Sequence, residues 1–370
     1  MNRQGRGRVF GRWCATLCML AAAAAGVCQA GPFLAADRLV AMQEADGSWA
    51  DWPGMEIYTG YIVSGLVQAY EMSRYEPYKT SAEAGGAWVL NYATPFPGGS
   101  SHVLLGEEAY AMQRLSEVAA NPASNTWRTE ITNLYEDIRN LYPGGSVAYI
   151  TEQIRAGNEP SIAAITIAHH VSAAYYVAAF DRAVWRAQLI NALAGVTDDT
   201  ATYPVMALGA SLWALVLTGV LDNTLVDPAA PPGSTWDGVR LIDLPGILVG
   251  HQEPTTGGFY WRFDHDTAPG YPAYGYTEDS VFGTLGLMAS GSYGSYDVEI
   301  RKGIDAVLSG FKGDGSMEEH LWQGTFAAHV FAGEALRLMA PEPASVLLLG
   351  GCLAGLVWRR RRRPGRRTAL

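Results

Sequence analysis

The strongest constraint on what this chain can fold into is an alternation of two kinds of helical segment between Phe33 and Met339. One kind shows apolar residues at helical spacing along a single face. Ile131, Leu134, Tyr135, Ile138 and Leu141 form one such face; Trp185, Leu189, Ala192 and Leu193 form another, and Ile300, Ile304, Val307 and Leu308 a third. The other kind is apolar nearly all round and rich in small residues: Gly60 to Tyr70, Ala109 to Val118, Ile162 to Ala179, Val205 to Val220, Val281 to Met288, and Phe326 to Met339. In a water-soluble body, a helix apolar on every side must be buried on every side. Each of these six inner segments follows an amphipathic outer candidate: Phe33 to Gln43, Ser81 to Tyr92, Arg128 to Leu141, Arg182 to Leu193, Trp236 to Val249, and Val298 to Phe311. Pro245 is expected to bend or break the fifth of these.

Twelve alternating helices predict an all-α fold, an (α/α)6 toroid of six outer/inner hairpins; a linear helical solenoid is the structural alternative. Gly257 to Phe263 is the one convincing strand candidate. The loops favour closure. Gln43-Glu44-Ala45-Asp46-Gly47-Ser48-Trp49 reads Q-x-x-x-G-x-W, and Gln252 to Phe259 is a looser version. Gly144-Gly145-Ser146 and Asp314-Gly315-Ser316-Met317 are weaker echoes. Glycine permits a turn with positive φ, the aromatic plugs the junction between hairpins, and glutamine bonds backbone groups left open at helix ends. This pattern resembles the QW repeat of squalene and hopene cyclases and, more broadly, the toroids of protein prenyltransferases and thioester proteins. The resemblance implies fold more than activity. The Asp-x-Asp-Asp acid of the cyclases has no counterpart; the nearest string is Asp264-His265-Asp266-Thr267. Prenyltransferases and thioester proteins need a cysteine, and the body between Gly31 and Ala340 has none.

Both ends of the chain read as addresses. Arg3, Arg6, Arg8 and Arg12 precede an apolar stretch from Cys14 to Val27 and a small-x-small site at Cys28-Gln29-Ala30, so residues 1–30 are expected to be a secretory signal peptide. Val27 before Cys28 fits a lipoprotein signal poorly. At the other end, Pro341-Glu342-Pro343 leads into an uncharged run from Ala344 to Trp358 and then Arg359, Arg360, Arg361, Arg362 and Arg363. The run is 15 residues long, short of the roughly 20 that span a bilayer comfortably. Leu338 to Ala340 can extend it, and the arginines are retained on the cytoplasmic side. These features resemble the PEP-CTERM sorting signal of Gram-negative bacteria, with an ordinary tail anchor as the alternative. The resemblance implies a C-terminal transmembrane helix, export to the envelope or extracellular matrix, and processing by exosortase, a membrane-embedded protease. Three divisions follow: residues 1–30 as signal peptide, 31–340 as toroid, and 341–370 as sorting segment.

Without its two addresses the chain is strongly acidic. Of 26 lysines and arginines, four precede Gly31 and seven follow Pro343, leaving 15 against 35 acids, a formal charge near −20. Such a field repels nucleic acid and anionic lipid and excludes a nucleic-acid role. The four cysteines lie at Cys14, Cys18, Cys28 and Cys352. The body must therefore be held by core burial without disulfides.

Candidate chemistry gathers at the loops entering the fifth and sixth inner segments. Asp264, His265 and Asp266 lie between Tyr260 and Trp261 on one side and Tyr271, Tyr274 and Tyr276 on the other. Rings stack on sugar CH groups and carboxylates bond sugar hydroxyls, so this is glycan-cleft composition. Its alternative is a solvated acidic loop with aromatics packed on the rim. General acid/base work by these groups, and Ca²⁺ held by Asp264 and Asp266, are further expectations; no resident metal or other cofactor is implied. Glu278 and Asp279 open the fifth inner segment and suit either chemistry or helix capping. Glu318, Glu319 and His320 before Trp322 can join the same mouth. One of His169 and His170 faces the centre, or both are core histidines; His102, Glu107 and Glu108 flank the second inner segment without a specific pattern.

Three functions accord with these residues. The first is polysaccharide binding or a structural role at the envelope, as the sorting signal's association with exopolysaccharide implies. The second is a polysaccharide lyase or hydrolase with Asp264, His265, Glu278 and His320 in its cleft. The third is a terpenoid-cyclase-like enzyme, which export and the missing tetrad disfavour.

Overall fold

The computed structural model describes residues 30–49, 59–92, 106–120, 126–133, 146–265, 277–292, 296–317 and 333–339. Among them every regular element is helical, as the alternation requires. The expected strand reduces to a single bridge between Gln252 and Phe259, with two more at Leu225–Arg240 and Phe311–Met317. Among the described residues no helix is long and apolar enough to cross a membrane. The expected signal peptide (apart from Ala30), Pro-Glu-Pro motif, transmembrane helix and arginine block lie outside the described residues. The fold set out below belongs to the unit that ends at Leu338.

The elements are α1 (Ala30–Met42), α2 (Thr59–Ser73), α3 (Glu76–Tyr92), α4 (Glu107–Val118), a helical segment at 126–133, α5 (Val147–Gly157), α6 (Pro160–Tyr176), α7 (Arg182–Ala194), α8 (Pro204–Thr218), α9 (Leu244–Gly250), α10 (Thr277–Ala289), α11 (Asp297–Leu308) and a final turn at 333–336. Five inner helices pack in sequence order: α2 on α4, α4 on α6, α6 on α8, and α8 on α10. Of α8, 13 of 15 residues are buried, as an all-round apolar helix demands. Outer helices bridge successive inner ones: α3 touches α2 and α4, α7 touches α6 and α8, and α9 touches α8 and α10. The final turn returns to the first inner helix, for Gly333 lies against Gly65 and Ile62 so closely that neither glycine has space for a side chain.

Two expectations need correction. The fifth outer helix does not begin at Trp236. A bridge pairs Leu225 with Arg240, a 3-10 turn covers Leu241–Asp243, and the helix is only Leu244–Gly250. Pro245 sits in its first turn, where a missing N–H costs nothing. Trp236 instead serves as a plug, 2% exposed, its indole N–H donating to the Val196 carbonyl at 2.9 Å. The second correction is α5, an additional amphipathic helix whose buried Val147, Ile150, Thr151 and Ile154 lie at helical spacing. Ser146 caps it by accepting from the Tyr149 N–H.

The loop signatures repeat as geometry. Gln43 donates to the carbonyls of Gly47 (2.8 Å) and Ser81 (2.9 Å), tying its own turn to α3. Gln252 donates to Gly257 (2.8 Å) and Glu299 (2.8 Å), tying its turn to α11 in the same way. Gly47, Gly257 and Gly315 have φ of 98°, 82° and 79°, a region that disfavours any side chain. Each rests on the next outer helix: Gly47 on Ala84 of α3, Gly257 on Lys302 of α11, and Gly315 on Leu34 of α1. The turn after the last outer helix therefore docks on the first.

Candidate functional site

The inner helices run in a common direction at their starts. Gly60 of α2 packs on the backbone of Glu107 and Glu108 at the start of α4. Glu159, the N-cap of α6, accepts from Ile162 and also from the Thr202 N–H just before α8. Asp279 in the first turn of α10 accepts from the Met206 N–H in the first turn of α8 at 3.1 Å. These carboxylates sit where helix dipoles and open N–H groups favour negative charge.

Among the described residues, five inner helices and the turn at 333–336 bring side chains to one cluster around His169. Tyr61 of α2, Tyr110 of α4, Trp213 of α8 and Phe282 of α10 place their rings 6.2, 5.7, 5.3 and 6.0 Å from the imidazole. Arg337 of the final turn completes the set, its guanidinium 4.9 Å from the Tyr110 ring centre, 5.2 Å from Trp213 and 5.6 Å from Phe282. Rings presented to a guanidinium in this way attract it through their quadrupoles. The His169 Nδ1–H donates to the Ile165 carbonyl at 3.0 Å, which leaves Nε2 to accept from Arg337 Nη1 at 3.4 Å. Burial, reinforced by Arg337, pushes the imidazole down to about 3, so His169 is neutral at physiological pH.

Glu107 closes the group. Its Oε1 lies 3.7 Å from His169 Nε2 and 3.8 Å from Arg337 Nη1, yet neither carboxyl oxygen has a hydrogen-bond partner, and the residue is 6% exposed. Burial raises its pKa well above the ordinary value against the pull of Arg337, with the charges of Glu334, Glu108 and Glu278 adding to the rise. Arg337 is 7% exposed and its Nε and Nη2 are also without acceptors. Glu108, next in sequence to Glu107 and partly open, is pushed up by burial to about 8.

Asp264 and His265 occupy a different place, in the loop after Phe259. Asp264 takes two hydrogen bonds from Arg262, at 2.6 and 3.0 Å, and these hold its carboxyl below the usual range. Arg262 also reaches the Asp198 carbonyl at 3.2 Å. His265 stacks on Tyr260 with ring centres 3.8 Å apart and meets His251 edge-on at 5.6 Å. A cation on Asp264 would compete with Arg262 for both oxygens, and among the described residues no group of three acids, histidines or cysteines is placed to hold a metal. Trp261 lies 6.2 Å from Tyr203 at the start of α8, and Glu278 and Asp279 are close enough to help raise the Tyr203 hydroxyl, which burial raises most. The rim thus joins Trp261 to the start of α10. Asp266, Tyr271, Tyr274, Tyr276, Glu318, Glu319, His320, Trp322 and His102 lie outside the described residues. His170 turns away from the centre and stacks on Trp185 of α7, ring centres 4.5 Å apart.

Residues 340–362 match the PEP-CTERM protein-sorting motif. The chain is thereby marked for export to the cell envelope or surface, with processing by exosortase. The PEP-CTERM motif covers the Pro-Glu-Pro, the apolar run and most of the arginine block. No curated protein matches the chain.

Motif spacing does not single out Arg337 or Glu334, and it shows Glu107 only as flanking an inner helix. One signal was present. An arginine and a glutamate three positions apart inside an all-round apolar segment, Phe326 to Met339, must be buried and therefore partnered.

Proposed function

We propose that this is an exported, exosortase-sorted protein of a Gram-negative envelope whose body is a closed (α/α)6 toroid that binds exopolysaccharide. The observation that carries the closed ring is the meeting of five inner helices and the final turn at His169, together with the docking of Gly315 on α1. A linear solenoid would separate its first and last inner elements. For binding, the support is the rim, where Tyr203 and Trp261 present partly open rings beside Glu278. Ring faces and a carboxyl side by side suit a sugar chain. The test is co-sedimentation of the exported protein with purified exopolysaccharide from the same cells. Retention that falls with Trp261→Ala is expected; equal recovery with and without polysaccharide would sink the reading.

Catalysis is the second reading, and one observation favours it. Glu108, pushed up to about 8, keeps its proton at neutral pH, as the general acid of a glycosidase must. Asp264 and Asp279 are poorer acids, since one is held ionised by Arg262 and the other is bonded to a helix start. Release of reducing ends or unsaturated sugars, abolished in Glu108→Gln, would establish the hydrolase or lyase. A terpenoid-cyclase-like role has less support, because the ring faces that would stabilise a carbocation already receive Arg337.

A further inference from the structure

The orphaned atoms at the centre of the ring differ in kind, and that difference selects a ligand. Arg337 offers Nε–H and Nη2–H, the parallel pair on one edge of its guanidinium, with no acceptor opposite. Glu107 offers two oxygens with no donor. Both side chains are more than nine-tenths buried, where an unmade hydrogen bond to a charged or strongly polar group is costly. Arg337 Nη1 and Glu107 Oε1 are 3.8 Å apart, so the open donor edge and the open acceptors belong to one small region.

A carboxylate ligand would satisfy the arginine edge only, and would bring a negative charge towards Glu107, Glu278 and Glu334. A cation would be repelled by Arg337. A pair of neighbouring hydroxyls answers both needs, since each hydroxyl accepts from one group and donates to another. The rings of Tyr110 and Trp213, which meet at right angles 5.0 Å apart, lie against the Arg337 guanidinium, so a ligand would meet the open polar edge rather than the ring faces. Tyr61, Tyr110 and Glu108 are partly open at the edge of the cluster.

We infer that Glu107 and Arg337 form a binding site, inside the ring, for the vicinal diol of a single uncharged sugar unit, such as the terminal residue of a glycan chain. This inference rests on the polysaccharide reading and adds to it a site, a ligand class and end-on engagement. His169 is a positioning residue: its neutral Nε2 holds Arg337 Nη1 and so turns the Nε and Nη2 edge outward.

Calorimetric titration of the full-length protein with methyl glycosides of glucose, galactose, mannose and rhamnose, and with glucuronate, tests it. At least one neutral glycoside is expected to bind, with affinity lowered tenfold or more in both Glu107→Gln and Arg337→Lys while Val298→Ala, on the exposed side of α11, leaves it unchanged. Should the variants fail to fold, the arginine Nε–H resonance of Arg337 in the wild type is expected to shift on adding that glycoside. Unchanged affinity in folded variants, or an unmoved Arg337 resonance, would overturn the site. Tighter binding of glucuronate would overturn the diol, and ordered water alone on the open edge in a glycoside-soaked crystal would overturn both. Retention on polysaccharide without binding of any monosaccharide would sink this inference and leave the polysaccharide reading standing; loss of both would end the two together.

Discussion

Gly315, in the turn after the last outer helix, rests on the carbonyl of Leu34 in the first, and its φ of 79° excludes a side chain twice over. Gly315→Ala is expected to cost about 3 kcal/mol, the left-handed strain of ~1–2 kcal/mol plus the displacement of α1. Gly233 provides the control, with the same φ of 79° and open space around it. Gly233→Ala should cost only the ~1–2 kcal/mol of strain. Chemical denaturation of the two variants checks this, and equal losses would argue that the turn is not pinned to α1.

Gln43 and Gln252 each hold two carbonyls through one amide nitrogen. Replacing either by alanine is expected to destabilise by about 2 kcal/mol, because the partly buried carbonyls lose their donor. Their partners are different helices, α3 and α11, so the double variant should lose close to the sum of the single losses. Denaturation midpoints of the three variants decide whether the turns act as independent copies of one device.

Glu108 gives the stability a distinctive dependence on pH. Its folded pKa is raised from 4.5 to about 8, so its contribution is fully present below pH 4.5 and is lost as pH rises through 8. Glu108→Gln should therefore match the wild type near pH 4.5 and melt at a progressively higher temperature than it towards pH 8. His169 works in the opposite sense. Its pKa falls from 6.5 to about 3, so its contribution is present above pH 6.5 and is lost as pH falls through 3. Melting curves of the wild type, Glu108→Gln and His169→Gln between pH 4 and 8 separate the two.

Arg262 fastens the loop after Phe259 to the loop after α7 through Asp264 and Asp198. Arg262→Ala should cost about 1 kcal/mol in stability, since the pair is partly exposed. Its larger effect should be on polysaccharide retention, because Trp261 adjoins the freed loop. If retention is unchanged, the rim near Trp261 does not contact the sugar chain.

The legible parts were those whose physical cause is local. Gln43, Gly47 and Trp49 serve one turn within seven positions, so spacing alone exposed the device. The all-round apolar stretch Val205 to Val220 similarly announced burial, and α8 lies there. Val147, Ile150, Thr151 and Ile154 carry a helical period of the same local kind, and α5 follows from it. Trp236 was misassigned because an apolar residue near a helix reads as part of its face, whereas its indole plugs a junction with Val196.

By itself the sequence determined the helical class, the alternation of wet and dry helices, and the PEP-CTERM address, because periodicity, burial demand and sorting signals are properties of contiguous residues. The meeting of Glu107, His169 and Arg337 was decided only by the tertiary structure. Arg337 lies 168 positions beyond His169, and neither residue's local context specifies the other. What unites them is packing: burying each inner helix against its neighbours sets Gly333 on α2 and carries Arg337 into the rings, where a buried charge must find its partners.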